Sequence, residues 1–183
     1  MLIILDRDGV INQDSDAFIK SPGEWVPIPG SLEAIGRLTR AGWAIAVASN
    51  QSGIARGLMD ESALRAIHEK MLRAVAEAGG RIDLLRYCPH GPDDGCDCRK
   101  PRPGLYLEIS ATLGMSLSGA PVIGDSLRDL RAAEAVGARP ILVLTGKGQK
   151  SRAQLGPGSV IPVYPDLAAA VNALLWEGPF SGP

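Results

Sequence analysis

Short apolar runs alternate along the chain with stretches that have helical apolar spacing. Continuous apolar runs are typical of parallel strands covered on both faces, and we predict strands at 2–5, 44–48, 82–87, 121–123 and 141–144. Apolar residues three or four apart predict amphipathic helices, at 31–41, from the Asp60 cap to Gly79, at 104–113, at 127–136 and at 166–175. This alternation predicts an α/β fold: a Rossmann-like parallel sheet with right-handed crossovers and helices on both faces.

The length of the chain, 183 residues, suits one domain. We expect that domain to span residues 1–176, with a flexible tail at 177–183 that contains Gly, Pro and Ser. The intervals 11–30 and 88–98 are too short for a large cap domain over the strand ends. Ligands of such sheets bind outside the carboxyl ends of the strands, so the polar residues that follow the strands are the candidates for chemistry.

Composition narrows the choice of partners. The chain is 45% hydrophobic and 21% charged, with a net charge of −1, which gives no electrostatic reason to expect nucleic acid or an anionic membrane. No apolar run approaches the roughly 18 residues of a membrane span. The first apolar run meets charge at Asp6 and lacks a basic leader. We therefore expect a cytoplasmic protein, and we expect it to be a monomer.

The first predicted strand leads directly into Asp6-Arg7-Asp8-Gly9. Asp6 is a candidate nucleophile, since a carboxylate needs no deprotonation at neutral pH. Asp8 is a candidate general acid and base, and Gly9 allows the chain to turn beside a bound phosphate. Taken alone, the motif fits a turn with solvated acids equally well.

Two further segments could bind a phosphoryl group. The second strand ends in Ser49-Asn50-Gln51-Ser52, which offers hydroxyl, amide and backbone donors. Arg99-Lys100 precedes the helix at 104. The lysine would set a positive charge against the phosphoryl oxygens, and the arginine offers a bidentate donor for a second anionic group. Taken singly, each segment also fits an ordinary polar loop or a surface basic pair.

The fourth strand ends in Gly124-Asp125-Ser126, with Asp129 four residues after Asp125. Mg²⁺ prefers carboxylates together with phosphate and water oxygens, so we predict a magnesium site with side-chain ligands from Asp6 and Asp125 and the carbonyl of Asp8. Asp129 is expected behind these ligands or as an exposed helix acid. The motifs follow successive strand ends in order, and together they supply the parts that phosphoryl transfer needs.

The loop 88–98 contains all three cysteines and one of the two histidines. Cys88, His90, Cys96 and Cys98 suit a closed tetrahedral zinc site that stabilises the fold. The alternative is three unligated thiols. Zinc here would brace the segment that carries Arg99 and Lys100. The other histidine, His68, is expected to be an ordinary surface or half-buried residue.

These motifs resemble the haloacid dehalogenase superfamily of phosphatases across nearly the whole chain. Within it, three stretches are similar to the branch that acts on heptose 1,7-bisphosphate, a reaction of activated-heptose synthesis for bacterial surface polysaccharides; they are 6–12, 50–57 and 96–104. The resemblance implies that Asp6 is phosphorylated, that Asp8 is the acid/base and that Ser49 and Lys100 steady the phosphoryl group. The residues expected to contact the sugar bisphosphate are Asp14, Ser15, Asp16, Ala17, Asn50, Gln51, Ser52, Arg99 and Ser126.

Two positions depart from the pattern of that branch. Ser49 stands where Thr is frequent, which keeps the hydroxyl, and Ala17 stands where the first loop often has an aromatic residue. A histidinol-phosphate phosphatase shares the Cys-rich loop, but the stretch 50–57 favours the heptose branch. Two non-enzymatic alternatives are a receiver-like domain, whose acceptor Asp follows the third strand where this chain has Cys88, and a zinc-stabilised sugar-phosphate binding protein.

Overall fold

The computed structural model describes residues 1–176. Over this range the strands are β1 Leu2–Leu5, β2 Ala44–Asn50, β3 Leu84–Cys88, β4 Pro121–Gly124, β5 Arg139–Val143 and β6 Val163–Tyr164. The helices are α1 Ser31–Arg40, α2 Glu61–Glu77, α3 Gly104–Leu113, α4 Leu127–Glu134, α5 Gly148–Ala153 and α6 Leu167–Trp176, with a 3₁₀ turn at Pro22–Glu24.

The six strands form one parallel sheet in the order β3-β2-β1-β4-β5-β6. The chain builds outward from β1 to β3 and then returns to the other side of β1 with β4. Strand order therefore reverses between β1 and β4, which is where ligands of such sheets bind. The ladder continues past β1, since the Asp6 amide donates to the Ile123 carbonyl at 2.9 Å.

Side chains from alternate positions of the central strands enter two separate cores. Ile3 and Leu5 belong to the core beneath α1, α2 and α6, whereas Leu2 and Ile4 belong to the core beneath α3 and α4. All four are nearly or fully buried, as expected of a strand covered on both faces. The predicted α/β sheet with helices on both faces is confirmed.

Local signals set the helix boundaries. The Asp60 carboxylate accepts a hydrogen bond from the Ala63 amide at 2.7 Å and so caps α2 as predicted. Helix α4 begins with a capping box in which Ser126 and Asp129 satisfy each other's backbone amides. Gly114 ends α3 in the left-handed conformation, with φ of 62°.

Several predicted boundaries differ from the structure. Strand β6 and helix α5 were not predicted, because one has two residues and the other is a six-residue polar segment. Strand β3 begins at Leu84, two residues after the start of the predicted strand 82–87. No large cap is present among residues 1–176, and no helix in that range is long and apolar enough to cross a membrane. The predicted tail at 177–183 lies outside the described residues.

Candidate active site

Asp6 lies at the end of β1, where the sheet order reverses. One oxygen of its carboxylate, Oδ1, accepts a hydrogen bond from the Arg7 amide at 2.7 Å. The same oxygen forms an ion pair with Lys100 Nζ at 3.0 Å. Its side chain keeps 13% exposure, whereas that of Lys100 keeps 2%. Asp6 is therefore held in a fixed orientation while part of its carboxylate faces the cleft.

Lys100 is the only cation paired with two carboxylates among the ion pairs of the described residues. Its Nζ lies 2.5 Å from Asp129 Oδ1 and donates to the Ala48 carbonyl at 2.7 Å. Asp129 is 1% exposed and lies beside Asp6 and Asp125, which agrees with the predicted position behind the metal ligands and not with the alternative of an exposed helix acid. Burial opposes the charge of Lys100, but Asp129 and then Asp6 outweigh it and raise its pKa far above the ordinary value.

Three carboxylates, those of Asp6, Asp125 and Asp129, have oxygens within 4.8 Å of one another. Lys100 offsets one negative charge of this group. Burial raises the pKa of Asp6 well above its usual range despite Lys100, and burial together with Asp129 raises the pKa of Asp125 to about 7. The surplus negative charge and the oxygen ligands fit a divalent cation such as Mg²⁺ between Asp6 and Asp125.

Asp125 is held by α5 and by the loop that precedes it. Its Oδ2 accepts a hydrogen bond from the Lys147 amide at 2.7 Å, and its carbonyl accepts one from Ser151 Oγ at 2.8 Å. Gly9, with φ of 81°, and Gly146 pack so closely against the Asp125 carboxylate that a Cβ at either position would overlap it. Glycine is required at both places for this contact.

Asp8 accepts hydrogen bonds from three side chains. The Arg7 guanidinium donates to both carboxylate oxygens at 3.0 Å, and Asn12 Nδ2 and Gln51 Nε2 each donate at 2.8 Å. Although burial raises the pKa of Asp8, Arg7 and these hydrogen bonds outweigh it, and the pKa is lowered. The structure therefore holds Asp8 as a carboxylate.

Ser49 and its neighbours adjoin this group at the end of β2. Gln51 Nε2 donates to Ser49 Oγ at 2.7 Å as well as to Asp8. The Asn50 amide group exchanges two hydrogen bonds with the backbone of Lys100, at 3.0 and 3.1 Å. Asn50, predicted to contact substrate, thus has both of its amide atoms engaged in positioning Lys100.

The carboxylates open into a cleft of about 220 Å³. It is lined by every predicted substrate residue except Ala17, namely Asp14, Ser15, Asp16, Asn50, Gln51, Ser52, Arg99 and Ser126. Ala17 is exposed and lies outside the lining; the aromatic residue of the first loop is Phe18, which has φ of 64°. Ser126 donates from Oγ to Asp129 Oδ2 at 2.6 Å, so its hydroxyl is engaged with the first turn of α4.

Three lining cations were not predicted: Arg56, Arg128 and Lys147. Lys147 Nζ pairs with Asp14 at 2.8 Å across the cleft, and the Arg56 guanidinium lies 5.6 Å from the centre of the Phe18 ring. Burial, the positive charge of Arg128 and, more weakly, that of Arg56 lower the pKa of Arg99. Guanidinium groups that line one cleft in this way have the charge and the donors to bind an anion.

The Cys-rich loop brings its four predicted ligands together. His90 Nδ1 lies 3.5 Å from Cys88 Sγ and 3.3 Å from Cys98 Sγ, and Cys88 Sγ lies 3.6 Å from Cys96 Sγ. Tetrahedral ligands at zinc bond lengths are about 3.3–3.8 Å apart, so the group fits Zn²⁺. Burial and the neighbouring thiols raise the pKa of Cys98 to about 12, and a bound cation would remove this obstacle to ionisation.

A parallel sheet with Asp6 and Asp8 after its first strand, together with Lys100 and Asp125, has the arrangement of a haloacid dehalogenase-like hydrolase. A family model described as HAD-hydrolase-like matches residues 97–170. The D-glycero-beta-D-manno-heptose-1,7-bisphosphate 7-phosphatase of Bordetella bronchiseptica is 58% identical over 176 residues, which cover 96% of this chain and 98% of that protein. The same enzyme of Pseudomonas aeruginosa is 55% identical and covers 95% and 97%.

Solved structures agree with these sequence matches. The crystal structure of D,D-heptose 1,7-bisphosphate phosphatase from B. bronchiseptica, complexed with magnesium and phosphate, has a TM-score of 0.93 at 58% identity and covers 96% of this chain and 98% of that one. The corresponding protein from Burkholderia thailandensis has a TM-score of 0.75 at 46% identity, covering 95% and 97%. The chain belongs to the D-glycero-beta-D-manno-heptose-1,7-bisphosphate 7-phosphatase family of the haloacid dehalogenase superfamily.

Proposed function

We propose that the protein removes the C7 phosphate of D-glycero-beta-D-manno-heptose 1,7-bisphosphate through a phosphorylated Asp6. The observation that carries this proposal is the Asp6 carboxylate, which is fixed by the Arg7 amide and Lys100 yet partly exposed to the cleft. The beta configuration follows the names of the relatives. Residues 1–176 act as one phosphatase domain, and we expect a cytoplasmic monomer.

In the first half-reaction a carboxylate oxygen of Asp6 attacks phosphorus, and the bond from phosphorus to the C7 oxygen breaks. Lys100 and Ser49 hold the phosphoryl oxygens. A phosphate dianion beside Asp8 favours the protonated form of that carboxyl, which gives its proton to the leaving oxygen. In the second half-reaction the ionised Asp8 takes a proton from water as that water attacks the aspartyl-phosphate.

Two metals complete the proposal. Asp6, Asp125 and the carbonyl of Asp8 would hold Mg²⁺, which supplies positive charge against the phosphoryl oxygens. Cys88, His90, Cys96 and Cys98 would hold a structural Zn²⁺ that keeps the loop before Arg99 in place. With these four protein ligands, zinc would brace the loop and supply no chemistry to the reaction.

The C1 phosphate of the substrate is the natural occupant of the anion site at Arg99. Arg56 and Arg128 line the same cleft as Arg99, and their mutual repulsion is relieved by a bound dianion. Asp14, Ser15, Asp16, Gln51 and Ser52 line the same cleft, and we expect the sugar hydroxyls to contact them. The cleft thus offers a reacting carboxylate at Asp6 and separate cations for a second phosphate.

Phosphate release with Mg²⁺ tests the proposal. We expect the beta 1,7-bisphosphate of heptose to be hydrolysed with a higher kcat/KM than its alpha anomer, histidinol phosphate or fructose 1,6-bisphosphate. Asp6→Asn should abolish turnover without unfolding the protein. Highest activity on histidinol phosphate would favour the neighbouring branch. A stable phosphoprotein without turnover would indicate a receiver-like domain, and binding without phosphate release would indicate a binding protein.

A further inference from the structure

Arg7 lies between two site carboxylates in the sequence, yet it is fully buried. Its backbone amide donates to Asp6, and its carbonyl accepts from the amides of Ile11 and Asn12, which closes the turn after β1. Its guanidinium lies behind Asp8, with Nε 3.2 Å from Asp8 Oδ1 and Nη2 3.0 Å from both oxygens. Arg7 therefore makes three of the five side-chain hydrogen bonds that hold the Asp8 carboxylate, and Asn12 and Gln51 make the other two.

The remaining nitrogen of this guanidinium contacts a histidine from another element. Arg7 Nη1 lies 3.2 Å from His68 Nε2, and His68 belongs to α2. The expectation of a surface or half-buried histidine was wrong, since His68 is 8% exposed and its ring lies 5.6 Å from that of Tyr87. A buried polar contact of this kind costs free energy when its partner is removed.

The chemistry of the two groups fixes the direction of this hydrogen bond. Arginine has only donors, so His68 Nε2 must present its lone pair, and the imidazole must be neutral with its proton on Nδ1. Burial and the positive charge of Arg7 lower the pKa of His68 to about 4, which keeps the ring neutral at physiological pH. A protonated or Nε2–H imidazole would repel the guanidinium.

We propose that His68 is a positioning residue for the reaction: its Nε2 lone pair fixes the Arg7 guanidinium, which in turn fixes the Asp8 carboxylate. This inference rests on the proposed role of Asp8 as acid/base. Loss of the acceptor lets Arg7 rotate, and Asp8 then loses the orientation it needs toward the leaving oxygen and the attacking water. Misplacement of a reacting group by about 1 Å can cost on the order of a hundredfold in rate.

Two substitutions distinguish the role of His68 as a hydrogen-bond acceptor from the packing of its side chain. His68→Leu keeps comparable volume without an acceptor, and we expect kcat to fall about ten- to hundredfold with little change in KM. His68→Gln offers its amide oxygen in place of Nε2 and should restore most of kcat. Leu64→Ala is the matched control, one turn earlier on the same helix and also buried; it should lower the melting temperature while leaving kcat unchanged.

A double-mutant comparison asks whether the effect passes through Asp8. In an Asp8→Asn background, His68→Leu should lower the residual rate no further, because the group it positions is gone. Full additivity of the two losses in kcat would overturn the inference, and so would an unchanged kcat in His68→Leu. Phosphate release by the wild type, and its loss in Asp8→Asn, test the proposed function separately from His68.

A measurement on the unmodified enzyme covers the case in which His68→Leu does not fold. Nitrogen-15 NMR of the magnesium-loaded protein should give His68 an unprotonated Nε2 and a protonated Nδ1 at neutral pH. A protonated Nε2 would contradict the proposed hydrogen bond, whatever the variants do.

Discussion

At the scale of single residues, the site divides its carboxylates into two groups by the way their charge is balanced. The positive charge of Arg7 and hydrogen bonds from Asn12 and Gln51 outweigh the burial of Asp8, so its pKa is lowered. Burial, and then the negative charge of Asp129, raises the pKa values of Asp6 and Asp125, and the positive charge of Lys100 lowers them by less than this. The first group keeps a defined side-chain orientation without a ligand, and the second needs a cation to be fully ionised.

The raised pKa of Asp125, about 7, predicts how Mg²⁺ affects stability at different pH. Between the pKa of an unfolded aspartate and about 7, the metal-free folded protein binds more protons than the unfolded chain, so its stability falls as pH rises through that window. Mg²⁺ binds the ionised form and offsets the loss. The rise in melting temperature on adding Mg²⁺ should therefore be small near about pH 5 and largest above about pH 7.

Differential scanning fluorimetry across this pH range, with and without Mg²⁺, measures the effect. Asp125→Asn is the control: it removes both the titrating group and a ligand, so Mg²⁺ should give little shift at any pH. A shift in the wild type that does not change with pH would contradict the role given to Asp125.

At the scale of elements, the site is held by connections between strand ends rather than by one loop. Cys88 is the last residue of β3, and the loop that follows it leads through Cys98 to Lys100, which pairs with Asp6 after β1. The Asn50 amide ties Lys100 to the end of β2. The position of Lys100 therefore depends on both β2 and the Cys-rich loop.

Removing one of the proposed zinc ligands should loosen the segment that carries Arg99. We expect Cys98→Ser to lose bound zinc, to lower the melting temperature and to raise KM for the bisphosphate more than it lowers kcat, because Arg99 donates to the His90 carbonyl at 3.0 Å within the loop. Asp97→Asn is the control, since this neighbouring carboxylate is fully exposed. Elemental analysis and steady-state kinetics measure the outcome; a zinc-free variant with unchanged KM would argue against a structural role.

The elements that could be predicted from the sequence are those whose hydrophobic pattern is long and unambiguous. Strands β1, β2 and β4 are continuous apolar runs followed at once by polar residues, so both the strands and the residues at their ends could be predicted. Strand β6 and helix α5 have too few residues for a hydrophobic periodicity to be recognised. They exist because the sheet edge and the Asp125 carbonyl, bonded by Ser151, provide tertiary partners.

Side-chain orientation was the part that the sequence could not give. Arg7, next to two site acids, is buried behind Asp8, and Lys147, 22 residues after Asp125, donates its amide to that carboxylate. Neither contact has a local motif, because each depends on which loops meet at the edge of the sheet. His68 was misjudged for the same reason: its helix position was clear, but its contact with Arg7 was not.

At the scale of the whole molecule, the net charge of −1 gives no overall attraction for a substrate with two phosphates. Five cations line the cleft: Arg56, Arg99, Lys100, Arg128 and Lys147. Attraction of this kind is short-ranged, since salt screens exposed charges over about 10 Å at 0.1 M ionic strength. We therefore expect the attraction between these cations and the second phosphate to lower KM for the bisphosphate and to leave kcat unchanged.

This distribution predicts a salt dependence that differs between substrates. KM for the 1,7-bisphosphate should rise with ionic strength more steeply than KM for heptose 7-phosphate, which lacks the second phosphate. Arg128→Gln should raise KM for the bisphosphate about tenfold at low salt, the value of one charge-assisted hydrogen bond. It should also flatten the salt dependence, because Arg128 is an exposed side chain at the cleft.

Arg73→Gln provides the matched change in net charge, on an exposed position of α2 that does not line the cleft. It should leave both KM and its salt dependence as in the wild type. Equal effects of the two substitutions would mean that overall charge, and not the guanidinium group in the cleft, governs binding of the second phosphate. Equal salt slopes for the two substrates in the wild type would place that phosphate away from the arginines, because a dianion seated between them must feel the screening of their charge.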